Sequence, residues 1–283
     1  MTSASRAIAV FDSGVGGLTV FRALRRRLPH ESLVYFGDTA HVPYGTKSAE
    51  TVRRLTRAHL AFLSRRRVKC AVVACNTASA VALDGAALDR TLNGHGPAVP
   101  IIGVIEPGVR MALARTRSGR IGVLGTSTTI ASGAYQRRLA AAGGVRVTAR
   151  ACPLFVPLIE AGWADHPVAR RIAAEYVAPL KAARVDTVIL GCTHYPLIKP
   201  VLGRVLGRGV ELVDSAEAVE MEVERILAGR GLLCRTGSGH DTFFLTDTGG
   251  TFPEIARRFL GSPIRRLVRV DTGVETVRDA VRA

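Results

Sequence analysis

At 283 residues, 47% of them hydrophobic, the chain is long enough for two modest domains or one large one with a proper core. No apolar run approaches the roughly 20 residues a membrane-spanning helix needs, and the N-terminus leads into a strand pattern rather than a signal-peptide hydrophobic region, so a cytoplasmic protein with no membrane partner is expected. The formal net charge of +16 rests on arginine, with only four lysines (Lys47, Lys69, Lys181, Lys199); it admits nucleic acid or acidic surfaces as partners, yet no aromatic residues interleave the arginine clusters and no DNA-binding motif accompanies them, so solvated helix faces are the plainer reading.

Ala7–Phe11 reads as a first strand, and the glycine-rich Asp12-Ser13-Gly14-Val15-Gly16-Gly17-Leu18-Thr19 as the turn after it. Leu18, Phe21, Leu24 and Leu28 then recur at helical spacing before Pro29. Thr19 occupies the place of the third glycine in a dinucleotide fingerprint, so that reading fails. Amides at the helix start could still hold a carboxylate. Asp12 at the strand end is either a cap or an acid–base partner. Ser32–Phe36 is a second strand, opening into Gly37–Ser48. There Thr46 separates the glycine and lysine that a phosphate loop keeps adjacent.

A helix from about Ser48 to Arg66 leads into Val72-Val73-Ala74-Cys75-Asn76-Thr77-Ala78-Ser79, an apolar strand ending in a cysteine and small polar residues. A helix over roughly 78–92 follows, and the loose stretch 93–97 marks a domain crossover. Ile101–Ile105 begins a second unit, with a helix from Pro107. Ile121–Ser127 echoes Ile8–Ser13. Residues 149–160 end at Glu160, and a helix over about 167–183 precedes Val188–Gly191 with Cys192-Thr193-His194-Tyr195-Pro196. Glu211–Asp214, a helix over 216–228, strands at 242–245 and 266–270, and a helix near 253–260 are expected to complete the first unit. The predicted division is 1–98 with 210–283 as one α/β domain carrying Asp12 and Cys75, and 99–209 as a second carrying Glu160 and Cys192.

Matching Asp12 to Gly125 gives an offset of 113 residues, and matching Cys75 to Cys192 one of 117. Offsets this close suggest an internal duplication that sets two α/β halves face to face, one cysteine on each wall of a cleft. Strand ends are where open α/β sheets bind ligands. The five cysteines are scattered and form no C-x-x-C pair, which argues against disulfides or a zinc site. Cys70, Cys152 and Cys234 lack the flanking signature and read as packing residues. Two opposed thiols beside Asn, Thr and His suit proton transfer at a weakly acidic carbon. Asp12 and His194 are candidate proton partners for Cys75 and Cys192. Asn76, Thr77 and Thr193 are candidate carboxylate binders. No lysine lies in a strand-end motif, which disfavours a pyridoxal Schiff base.

The segments Asp12–Thr19, Gly37-Asp38-Thr39 with Pro43-Tyr44-Gly45, Ala74–Ala78, Cys152-Pro153-Leu154 and Gly191–Pro196 resemble glutamate racemase, of the aspartate/glutamate racemase superfamily. They run in order over nearly the whole chain. The resemblance implies two similar α/β domains with mostly parallel sheets and the active site between them. It implies a cofactor-independent enzyme that makes D-glutamate for bacterial peptidoglycan, with Cys75 acting on the D-enantiomer and Cys192 on the L-enantiomer; no metal is expected, because the sequence shows no metal-ligand cluster. It also implies substrate contacts from Asp12, Ser13, Tyr44, Gly45, Asn76, Thr77, Thr193 and His194, with Asp38 and Glu160 as further acidic positions of the site. A homodimer is expected. The competing expectations are a racemase for aspartate or another amino acid, and an added weak interaction with DNA or DNA gyrase.

Overall fold

In the computed structural model, which describes residues 3–66, 68–83, 99–249, 252–264 and 266–273, the apolar runs pair into two parallel sheets. The first holds β1 (Ile8–Asp12), β2 (Leu33–Gly37), β3 (Cys70–Val73) and β4 (Ile101–Gly103) in the order β2-β1-β3-β4. The second holds β5 (Arg120–Gly125), β6 (Arg146–Ala151), β7 (Thr187–Gly191) and β8 (Glu211–Asp214) in the order β6-β5-β7-β8. Two further strands, β9 (Asp241–Leu245) and β10 (Leu267–Arg269), extend the first sheet beyond β2.

Both halves therefore share one strand order, with β1 equivalent to β5 and β3 to β7. The central strands β1, β3 and β7 are buried along their whole length. That is why they read as continuous apolar runs without alternation. Helices cover the faces. Helix α1 (Leu18–Arg27) buries Leu18, Val20, Phe21, Ala23 and Leu24 and leaves its arginines outward. Helix α2 (Ala49–Ser64) starts at Ser48, whose hydroxyl accepts from the Thr51 amide at 3.2 Å and so caps one of the free N–H groups.

The strands divide differently from the expected domains. Ile101–Gly103 pairs in parallel with β3 at Ala71↔Ile101, so it closes the first sheet instead of opening the second unit. Glu211–Asp214 pairs with β7 at Thr187↔Glu211, so it closes the second sheet instead of returning to the first. In each repeat the fourth strand lies beside the third, and only then does the chain change sheets. A polar, Gly- and Pro-containing connection looks the same within a βαβ unit as between domains, and composition cannot tell them apart. The stretch 93–97 lies outside the described residues, as does the later part of the helix expected over 78–92. Its first turns form α3 (Asn76–Ala82). Among the described residues no helix is long and apolar enough to cross a membrane.

Candidate active site

β1 and β3 deliver one wall of a cleft at their carboxyl ends. Asp12 closes β1 and is fully buried; its Oδ2 accepts from the Gly14 amide at 3.0 Å, while Oδ1 has no hydrogen-bond partner among the described residues. Burial pushes the Asp12 carboxyl up from its ordinary range, against the pull of His194 and of the turn amides. Cys75 caps the start of α3, its sulfur accepting from the Ala78 amide at 3.4 Å and lying 3.5 Å from Ser13 Oγ. Burial, with the nearby Asp12 charge, raises this thiol to about 12. The turn between them must be glycine. A Cβ on Gly17 would stand 2.4 Å from Asp12 Cβ, and one on Gly16 would stand 2.3 Å from Thr193 Oγ1.

β7 delivers the opposite wall. Cys192 Sγ lies 3.8 Å from His194 Nδ1, and His194 Nε2 lies 2.8 Å from Glu160 Oε1. The Phe259 ring meets the imidazole edge-on at 5.1 Å. Burial alone would favour neutral imidazole, but the partners Cys192 and Glu160 outweigh it and hold His194 at about 10. The walls are tied by Thr19 Oγ1, which donates to the Thr193 carbonyl at 2.9 Å, and by Thr128 Oγ1, which donates to the Gly45 carbonyl at 2.9 Å.

The cleft between the walls is about 270 Å³ and is lined by both thiols together with Ser13, Tyr44, Gly45, Asn76, Thr77, Glu160, Thr193 and His194. Ten of the twelve residues singled out from the sequence thus converge. Asp12 and Asp38 stand behind the lining. Asp12 sits under the turn. Asp38 accepts a 2.6 Å hydrogen bond from Tyr44 Oη and so fixes a ring on the cleft wall. Burial would raise the Asp38 carboxyl, but His59, His41 and Tyr44 hold it down at about 2.

Sequence reasoning missed several residues that the fold adds. Thr126 and Ser127 line the cleft from the end of β5. Their signal was present, since with Asp12 matched to Gly125 they occupy in the second repeat the place of Ser13-Gly14. Thr77 Oγ1 lies 2.9 Å from Thr126 Oγ1 and 3.1 Å from Thr129 Oγ1, a hydroxyl cluster that joins the halves. Tyr135 Oη donates to Asn76 Oδ1 at 2.7 Å, which leaves Asn76 Nδ2 buried with no partner among the described residues. An orphan amide donor on a cleft wall is a ready carboxylate ligand. Cys152, expected to be packing alone, is buried and also lines the cleft. No lysine is among the lining residues, so none offers an amine for a Schiff base there. A thiol on each wall, each with its own acid–base neighbour, can take a proton from one face of a bound carbon and return one to the other.

The family model described as Asp/Glu/Hydantoin racemase matches residues 18–221. The chain is 50% identical over 272 residues to the glutamate racemase of Geobacter metallireducens, covering 95% of this chain and 98% of that protein. It is 45% identical over 270 residues to that of Neisseria meningitidis serogroup B, covering 95% and 97%. Its structure is similar to the crystal structure of Francisella tularensis glutamate racemase in complex with D-glutamate, with a TM-score of 0.88, 33% identity, and 95% and 99% of the two chains covered. It is also similar to Escherichia coli glutamate racemase in complex with L-glutamate and the activator UDP-MurNAc-Ala, with a TM-score of 0.73, 28% identity, and 93% and 97% covered. The aspartate racemase of Picrophilus torridus, at 14% identity, 78% and 94% covered and a TM-score of 0.57, shares the fold alone.

Proposed function

The chain belongs to the Asp/Glu/hydantoin racemase family and is an amino-acid racemase, and on that footing we propose that it interconverts L- and D-glutamate by proton transfer between two cysteines, without a cofactor. The reading is carried by one observation: Cys75 and Cys192, at the ends of equivalent strands in two repeats, line a single cleft.

For D-glutamate, the Cys75 thiolate removes the α-proton, breaking C–H and forming S–H. The Cys192 thiol gives its proton to the opposite face of the carbanion, forming C–H and leaving a thiolate. For L-glutamate the roles reverse. Asp12 serves Cys75, and the His194–Glu160 pair serves Cys192. Burial holds Cys75 as a thiol, and the His194 cation stands 3.8 Å from the Cys192 sulfur. The Asn76 amide with the hydroxyls of Ser13, Thr77 and Thr193 grips the substrate carboxylates, and Tyr44 and Gly45 shape the wall beside them. D-glutamate made this way would feed peptidoglycan synthesis in the cytoplasm, from a homodimer.

The test is turnover of each enantiomer, followed by circular dichroism with no pyridoxal phosphate added. In deuterated water, newly formed product carries deuterium at Cα while the remaining substrate keeps its protium. Substantial early carry-over of protium into product would instead mean a single base serving both faces. A panel including aspartate decides the substrate: faster turnover of aspartate than of glutamate would overturn the glutamate reading.

A further inference from the structure

From the geometry of Asp38, His41 and His59 we infer a binding site for one divalent transition-metal ion of the zinc class, set behind the cleft wall and outside the proton path. One ligand atom from each of these residues falls within 4.8 Å of the others. His41 Nδ1 lies 2.7 Å from Asp38 Oδ1 and His59 Nε2 lies 2.8 Å from Asp38 Oδ2. The Asp38 and His59 side chains are fully buried. Two histidines and a carboxylate are a recurrent donor set for such ions and leave a fourth position open.

His59 turns proximity into an argument for a ligand. Its Nε2 stands 2.8 Å from a carboxylate oxygen, yet neither ring nitrogen has a hydrogen-bond partner among the described residues. The imidazole thus meets Asp38 closely enough to share a ligand with it, while its Nδ1 stays buried and unpartnered among the described residues. Around it stand Phe11 and Phe36, ring centres 5.6 and 4.9 Å away, which offer its nitrogens no hydrogen bonds. Ligands held roughly 2.0–2.2 Å from a tetrahedral zinc stand about 3.4 Å apart; the two contacts to Asp38, at 2.7 and 2.8 Å, are shorter, so the side chains would spread by under about 1 Å to seat the ion.

Each Asp38 oxygen also has an outer partner: Tyr44 Oη donates to Oδ2 at 2.6 Å and Thr246 Oγ1 to Oδ1 at 2.9 Å. Carboxylates that ligate metals are themselves hydrogen-bonded in this way, which fixes their orientation. The ion would pin the 38–45 segment to α2 and to the end of β9. Through Tyr44 it would stiffen one wall of the cleft. Residues 38, 41 and 59 show no metal-ligand spacing in the sequence; it takes the packing of α2 against the end of β2 to bring them together.

The test is metal uptake by the full chain carrying Cys75→Ser and Cys192→Ser, so that the cleft thiols cannot compete. After equilibrium dialysis against Zn²⁺ or Co²⁺, metal analysis should find one equivalent per chain. The bound cobalt should show visible tetrahedral absorption without the near-ultraviolet charge-transfer band of sulfur ligands. His59→Leu should weaken uptake by more than the roughly 100-fold typical of lost outer-shell partners. His41→Ala, at the less buried edge of the cluster, should do the same and guards against a His59 variant that fails to fold. Failure to retain an equivalent, retention unchanged by His41→Ala, or cobalt bound through sulfur would each overturn the site. None of these readouts depends on racemisation, so the proposed activity stands or falls separately.

Discussion

Asp12 and His194 give the two thiols unlike neighbours, a buried carboxyl on one side and an imidazole–carboxylate pair on the other. Asp12→Asn and His194→Asn should each lower kcat about 100-fold or more while moving KM little, because acid–base partners act mainly in the transition state. Enantiomers have equal free energies, so kcat/KM must stay equal in the two directions for every variant. Directional bias will show instead in the primary deuterium isotope effect, measured separately from each enantiomer. If both changes raised KM alone, these residues would be binders and not proton partners. The pH dependence follows from His194, raised to about 10 by Cys192 and Glu160 against the effect of burial. The group is a cation below that value and loses its charge above it. A pH–rate profile of kcat/KM should therefore fall above about pH 10, and the fall should move or vanish in His194→Asn.

Most of the site was legible because its residues come in contiguous segments at strand ends, where position and chemistry coincide. Tyr135, Thr129 and His59 were not, because their parts in it depend on which helix packs over which strand. Asn76 shows the difference. Its place on the wall follows from the Cys75-Asn76-Thr77 run, but its orientation comes from a tyrosine 59 positions away.

At the scale of elements, Tyr135 couples the helix Ala134–Ala141 to the start of α3. Tyr135→Phe would leave the Asn76 carbonyl with only a 3.4 Å contact to Ser215 Oγ. It should cost about 1–3 kcal/mol of stability and raise KM more than it lowers kcat, since the amide loses its orientation. Calorimetry with steady-state kinetics checks both. Gly16→Ala is the harsher test. Its Cβ would fall on Thr193 and on the imidazole of His194, 2.4 Å from Nδ1, two buried neighbours with little room to retreat. Loss of activity should exceed loss of stability, because strain enters where the walls meet. A Gly16→Ala enzyme of normal rate would mean that the halves part easily. Strand β6 and the helices Ala134–Ala141, Phe155–Glu160 and Lys199–Leu206 went unread, but the types of the elements that were assigned were readable from periodicity. The sheet assignments of Ile101–Gly103 and Glu211–Asp214 were not, because a short apolar strand carries no mark of the neighbour it will choose.

At the scale of the whole molecule, the duplication foreseen from two offsets is realised as one strand order used twice. Among the described strands, only the appended β9 and β10 depart from that order. Many of the arginines lie on helix faces, where several pair with acids: Arg27 with Glu224 at 2.6 Å, Arg110 with Glu222 at 2.8 Å, Arg258 with Glu254 at 2.6 Å. A charge of +16 spread in this way should give weak, sequence-independent DNA binding that falls steeply between low and physiological salt. Fluorescence anisotropy with two unrelated duplexes would measure it. A tight, selective complex at physiological salt would show that the charge has a specific acidic partner.

The facing thiols carry one more consequence. The repeat sets equivalent strand ends on the two walls, but no rotation turns an amino acid into its mirror image. On the proposed two-thiol mechanism, handedness would be read by which sulfur meets the α-hydrogen. A flat mimic of the carbanion has no hand to be read. Both walls should hold it, and more tightly than either tetrahedral enantiomer, because the site is shaped to the point through which both must pass.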